Sequence, residues 1–169
     1  IATEGMLEGV QSVLDLGCGL GDLLSYLRCE CGYKGRYLGV DFVEEFLSYA
    51  KTRYAKDLYA DFHYLDLEKD DFPKDYELSF ALGIFNNPRP DHELFFQTLS
   101  RKVIQSSTKG FIFNLLSTYV DFQDSNLSYT NPMESFDFCK KLAPKVNLRH
   151  DYLIKEDCIP YEYTMYVYK

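Results

Sequence analysis

Val13-Leu14-Asp15-Leu16-Gly17-Cys18-Gly19-Leu20-Gly21 governs the reading of this chain. Its first half, with Ser12, is a short apolar run closed by glycines, the pattern of a strand buried on both faces. Glycines at alternate positions let the backbone turn tightly and come close to a ligand. Leu23, Leu24 and Leu27 then fall on one helical stripe, which predicts a helix over 21–28. A strand, a glycine turn and a helix in that order place free helix N–H groups behind the turn.

Outward from this point the pattern repeats. Arg36 to Val40 reads as a second strand, and Val43, Phe46, Leu47 and Ala50 recur as one helix face. Asp61 to Leu65 reads as a third strand, followed by an acidic loop over 66–75. Tyr76 to Phe85 is almost continuously apolar and suits a central parallel strand. Asp91 is the expected cap of a helix with Leu94, Phe95, Thr98, Leu99 and Val103 on its buried stripe. Gly110 to Leu116 reads as a fifth strand and 117–130 as a loop. Asn131 caps a last helix with Pro132 at its first position and Phe136, Cys139 and Ala143 inside. Two closing strands, 147–154 and 161–168, are joined too closely for a helical crossover and should pair antiparallel. The order is a helix, then alternating β and α, then an antiparallel strand. This is the α/β class, a mostly parallel sheet with helices on both faces. Such sheets bind ligands at the carboxyl ends of their strands.

The chain has 169 residues, 46% of them apolar, enough for one core, and reads as a single domain over 1–169. A net charge of −8 argues against a nucleic-acid partner gripped through its phosphates. The basic group Lys140, Lys141, Lys145 and Arg149 is read as a solvated helix face. No apolar run reaches the ~20 residues that span a bilayer, so no membrane partner is expected. The five cysteines (18, 29, 31, 139 and 158) show no CxxC spacing, which fits a reducing cytoplasm and no metal site. The start carries neither an initiator Met nor a signal peptide, so an excised or truncated N-terminus is expected.

The acids beside the glycines narrow the ligand. A dinucleotide fingerprint spaces its glycines G-x-G-x-x-G, but here Asp22 holds the third position and the third glycine is Gly21. Asp15 lies within the first strand, where a carboxylate opposes a pyrophosphate and favours a cation. A nicotinamide-dependent dehydrogenase is the weaker reading for both reasons.

On these residues the chain resembles the class I S-adenosylmethionine-dependent methyltransferases, most closely at Val13–Gly21 and again at Leu38-Gly39-Val40-Asp41. The resemblance implies a Rossmann-like three-layer fold with a seven-stranded sheet in the order 3-2-1-4-5-7-6. It implies S-adenosyl-L-methionine as methyl donor and S-adenosyl-L-homocysteine as product. Asp15, Gly17, Cys18, Gly19 and Gly21 would line the donor site. Asp41 would accept from the ribose hydroxyls and Phe42 would pack on the adenine. Asp66 would receive the adenine amino group beside Leu67. Leu82 and Gly83 would lie along the methionine portion.

The reaction expected is methyl transfer to an O or N atom of a small-molecule or protein acceptor. The alternative is a non-catalytic cofactor-binding or scaffold module of a longer protein. The loops 85–92 and 116–129 would line the cavity above the methyl group. His92 and His150 are the chief candidates for a base, with Asp121 and Glu162 behind them. The match of Asn86-Asn87-Pro88 to an amine methyltransferase motif fails at Arg89, where no aromatic follows.

Overall fold

A computed structural model describes residues 5–169. The elements are β1 (Ser12–Leu16), α1 (Asp22–Cys29), β2 (Arg36–Asp41), α2 (Glu44–Arg53), β3 (Ala60–Tyr64) and β4 (Tyr76–Ala81). A 3-10 turn, Ile84–Asn86, precedes α3 (His92–Ser106). Then come β5 (Ser107–Ser117), β6 (Tyr129–Thr130), α4 (Pro132–Leu142), β7 (Lys145–Arg149) and β8 (Glu162–Tyr168). The sheet runs β3-β2-β1-β4-β5-β8-β7, with β6 paired to β5. All pairings are parallel except β5–β8 and β7–β8. This is the doubly wound α/β sheet expected, and its seven main strands follow the expected order.

The side chains of β1 alternate between two cores because successive residues in a strand face opposite ways. Leu14 and Leu16 join Phe96, Leu99, Val103, Phe113 and Phe138 on the α3–α4 face. Val13 joins Leu24, Leu27, Leu47, Ala50 and Phe80 on the α1–α2 face. Phe85 ties the 3-10 turn into the first core, with its ring 5.3 Å from Phe96 and 5.7 Å from Phe113, both edge-to-face. Such pairs add about 0.5–1.5 kcal/mol beyond area burial. The segment that follows β4 is therefore held rigidly over the strand ends.

Several expectations need correction. Residues 5–9 form turns where a leading helix was expected, and residues 1–4 lie outside the described part. An eighth strand, β6, arises because Thr118 N–H donates to the Thr130 carbonyl at 3.2 Å and draws the end of the polar loop alongside β5. Asp91 occupies the N-cap of α3 without a side-chain capping bond. Its carboxylate is taken by Arg89, at 2.7 Å. The buried stripe of α3 is Phe96, Leu99, Ser100, Val103 and Ile104, while Leu94 is 66% exposed. Phe96 wins the inward position because Phe85, Phe113 and Phe138 surround it. The closing strands are shorter than expected, and 150–161 is a connecting loop. The Asn131 cap is as expected: its Oδ1 accepts from Met133 N–H at 2.9 Å with Pro132 at the first helical position.

Candidate functional site

The glycine turn sits at the carboxyl end of β1 and is fixed from beneath. Gly17 and Cys18 donate their N–H groups to the Val40 carbonyl of β2 at 2.8 and 3.0 Å. Gly17, Gly19 and Gly21 all have positive φ, the left-handed region that glycine reaches without steric cost. A Cβ on Gly17 would strike the Ile84 side chain, so this glycine seats the 3-10 turn against the site. A Cβ on Gly19 would meet nothing within 4 Å. That position is open, and a ligand can approach its backbone.

Two acids converge on this turn by different means. Asp15 is 2% exposed. Tyr37 on β2 donates its hydroxyl to Asp15 Oδ2 at 2.5 Å. Burial pushes the Asp15 carboxyl up to about 7, against the lowering effect of the Tyr37 hydrogen bond, and the charge of Asp41 adds to the rise. Burial also pushes the Cys18 thiol up, so it stays protonated and unreactive. Asp41 ends β2 with both oxygens engaged: Gly19 N–H donates to Oδ2 at 2.9 Å and Val43 N–H to Oδ1 at 3.0 Å. One carboxylate thus couples the glycine turn to the start of α2.

A cavity of about 420 Å³ opens here, within the range of small-molecule sites. It brings together Asp15, Gly17, Cys18, Gly19 and Leu82 of the expected residues. Gly21 adjoins it, held by its N–H to the Cys18 carbonyl at 2.9 Å. Sequence reasoning did not assign Leu20, Asp22, Leu23 or Tyr26 to the site, yet they also line it; Leu23, expected on the buried stripe of α1, turns to the cavity while Leu24 and Leu27 are buried. The helical spacing of Leu23 and Tyr26 (i, i+3) put them on one face of α1 and was the available signal.

The other expected residues, Phe42, Asp66, Leu67 and Gly83, are not among those that line this cavity. Phe42 is 66% exposed beside Asp41. Asp66 folds back into its own turn, accepting from Glu68 N–H at 3.0 Å and pairing with Lys69 Nζ at 2.7 Å. These partners hold its carboxyl below the usual carboxylate range. Leu67 packs partly buried against the α3–α4 core. Gly83, with φ 82, donates its N–H to Asn114 Oδ1 on β5 at 2.7 Å.

Neither His92 nor His150 lines the glycine-turn cavity. His92 opens α3, and its Nε2 is 3.0 Å from Thr130 Oγ1. His150 follows β7, with Nε2 3.0 Å from the Pro160 carbonyl and its ring 6.2 Å from that of Tyr119. Glu162 at the start of β8 is buried enough that its carboxyl lies above the ordinary value, with Asn114 and Tyr152 hydrogen-bonded to it.

Residues 13–104 match a family model described as a methyltransferase domain. A Mycobacterium tuberculosis protein provisionally named a methyltransferase, Rv1506c, is 34% identical over 165 residues, 94% of this chain and 93% of its own length. An S-adenosylmethionine-dependent methyltransferase from Mesorhizobium loti shares the fold with a TM-score of 0.71 at 16% identity, over 99% of this chain and 95% of that one. Magnesium protoporphyrin IX methyltransferase from Synechocystis PCC 6803, solved with bound SAH, gives 0.70 at 15% identity, over 98% of this chain and 77% of that one.

Proposed function

The chain belongs to the methyltransferase-domain family, and from that premise we propose that it moves a methyl group from S-adenosylmethionine to an O or N atom of a small-molecule or protein acceptor. The observation that carries this reading is the conjunction at the glycine turn. One cavity is lined by Asp15 and the turn, with Asp41 clamped to the Gly19 amide. The residues fit the donor. Asp15 offers a carboxyl of tunable charge to a cation, and the open side of Gly19 admits close approach.

When bound, S-adenosylmethionine supplies an electrophilic methyl carbon on a sulfonium. The protein's part is mainly to position and to exclude water. Asp41 can accept from two adjacent ribose hydroxyls, exchanging its present backbone partners in part. Phe42 offers its exposed ring to the adenine. Asp66 with Leu67 would meet the adenine edge, which requires the Asp66 carboxylate to turn away from Lys69. Leu82, which lines the cavity, and Gly83, fixed by Asn114, would lie along the methionine portion.

Calorimetric titration with S-adenosylmethionine and S-adenosylhomocysteine, with NAD as control, tests the reading. Micromolar binding of the first two and none of NAD is expected. Binding of NAD alone would replace the reading with a dehydrogenase.

A further inference from the structure

The sheet ends on β3 at one side and on β7 at the other. An edge strand offers unpaired N–H and C=O groups to another chain, and basic side chains, Pro or a bulge commonly guard it. β7 is guarded in this way, with Lys145 exposed at its start and Arg149 at its end. β3, Ala60-Asp61-Phe62-His63-Tyr64, has no Lys, Arg or Pro, and its register with β2 runs without a bulge.

The open backbone groups of β3 follow from its ladder. In a parallel pair, alternate residues direct both their N–H and C=O at the neighbouring strand. The Tyr59 carbonyl accepts from Tyr37 N–H at 2.8 Å, and Leu65 N–H donates to the Asp41 carbonyl at 3.0 Å. Residues 59, 61, 63 and 65 therefore face β2, and Phe62 and Tyr64 direct their groups outward. The Ala60 carbonyl points outward too, while Ala60 N–H donates to the Asp57 carbonyl at 3.3 Å. Side chains alternate likewise. Phe62 is buried on the α1–α2 face, its ring 5.7 Å from that of Tyr37 and 5.6 Å from that of Tyr54. Asp61 and His63 project from the other face and are exposed. Leu58, Tyr59 and Tyr64 add exposed apolar surface at the two ends of the strand.

A second copy of this chain complements that edge. Antiparallel pairing about a two-fold axis at Phe62 sets the outward groups of Phe62 against those of the partner's Phe62. It sets Tyr64 N–H against the partner's Ala60 carbonyl. Asp61 then stands opposite the partner's His63, and His63 opposite the partner's Asp61. These are pairs of the closer, non-hydrogen-bonded kind, with Cα atoms about 4.5 Å apart. An imidazole N–H donates to a carboxylate whether the ring is charged or neutral, and protonation adds attraction. On the opposite face each Tyr64 falls beside the partner's small Ala60. Moving the axis to Asp61 or to His63 sets like side chains against each other, so the charges select the register.

We propose that β3 is a self-association edge: it pairs antiparallel with β3 of a second copy, about Phe62, through reciprocal Asp61–His63 contacts. The sheet would then run continuously through both subunits in an isologous dimer.

Sedimentation velocity on the full chain reads the association, and amide hydrogen exchange reads its place. A dimer with a Kd on the order of 10 μM is expected. Exchange of the Phe62 and Tyr64 amides should slow as the concentration passes that value. Asp61→Lys and His63→Glu should each weaken self-association about tenfold or more, because each sets like groups across the axis. Mixing the two variants should restore a dimer with one copy of each. There the introduced Lys faces the introduced Glu, and the retained His63 faces the retained Asp61. Both positions are exposed, so the variants should keep the wild-type circular dichroism. If either misfolds, exchange in the wild-type chain decides alone. A wild-type chain that stays monomeric up to about 500 μM, Phe62 and Tyr64 amides that exchange alike at every concentration, or a mixture no more associated than its two components overturns the proposal. Donor binding enters none of these readouts, so they stand apart from the methyltransferase reading.

Discussion

Tyr37 donates a hydrogen bond from its hydroxyl to Asp15 Oδ2 across neighbouring strands at 2.5 Å, next to the glycine turn. The pair is buried, and that burial sets the charge of the site. With the Asp15 carboxyl raised from 3.8 to about 7, it is half ionised near neutrality.

A pH dependence of ligand binding follows. Ionised Asp15 favours a cation and protonated Asp15 does not. S-adenosylmethionine affinity should therefore rise between pH 6 and 8 in wild type and stay flat in Asp15→Asn. S-adenosylhomocysteine, which lacks the sulfonium, should show the smaller rise. Calorimetry at the two pH values checks this, and an affinity that falls with pH would contradict the role of Asp15.

The same group gives a stability prediction of opposite sense. Between pH 4 and 7 the native state holds a proton that the unfolded state has lost, so stability falls as pH rises. A shift from 3.8 to about 7 corresponds to on the order of 4 kcal/mol across that window. Asp15→Asn should flatten the dependence, read as urea midpoints at pH 5 and pH 7.5. Equal slopes in the two proteins would show that Asp15 titrates normally.

Gly17 and Gly19 should separate folding from binding. A side chain on Gly17 collides with Ile84, whereas one on Gly19 meets only open space. Gly17→Ala should therefore lose stability. Gly19→Ala should stay folded, at a cost of about 1 kcal/mol for its positive φ, and lose cofactor affinity at least tenfold. Thermal melts and calorimetry on both variants decide it. Equal effects of the two on affinity would mean that no ligand reaches Gly19.

Much of this was legible in the sequence. The apolar run of β1 has its expected ends, Ser12 and Leu16, because glycines bound it. The alternation of β and α pointed to a mostly parallel sheet, and the strand order followed from the resemblance. What was not legible depends on neighbours distant in sequence. The two adjacent phenylalanines Phe95 and Phe96 allow two different stripes for α3, and only the aromatic cluster around Phe85 chooses between them. Asp91 reads as a cap until Arg89 is seen to claim it. The Tyr37–Asp15 bond needs β1 and β2 side by side in register, Val13 opposite Tyr37. Asp66 shows the reverse case, a residue placed at the expected strand end whose carboxylate is spent on its own turn.

Asp41 joins Gly19 and Val43 through one carboxylate, so its removal acts on both the turn and α2. Asp41→Ala should weaken S-adenosylmethionine binding by about 1–3 kcal/mol, the usual loss for hydrogen bonds to a charged group. Unchanged affinity in a folded Asp41→Ala protein would contradict the assigned ribose role.

Asn114 gives the last test, because it is buried in β5 and holds the Gly83 amide. Its Oδ1 accepts from Gly83 N–H at 2.7 Å, and its side chain also bonds Glu162. Asn114→Ala leaves the Gly83 amide without its acceptor and Glu162 with Tyr152 as its remaining donor. Stability should drop by about 1–3 kcal/mol. Asn114→Asp keeps the acceptor for Gly83 but sets a second carboxyl against a half-buried Glu162. One proton shared between the two should then be held, so this variant should be more stable at pH 5 than at pH 8, by more than wild type is. If Asn114 fixes Gly83 for the cofactor, Asn114→Asp at pH 5 should bind S-adenosylmethionine more tightly than Asn114→Ala does. Equal affinities would show that the Gly83 contact serves folding alone.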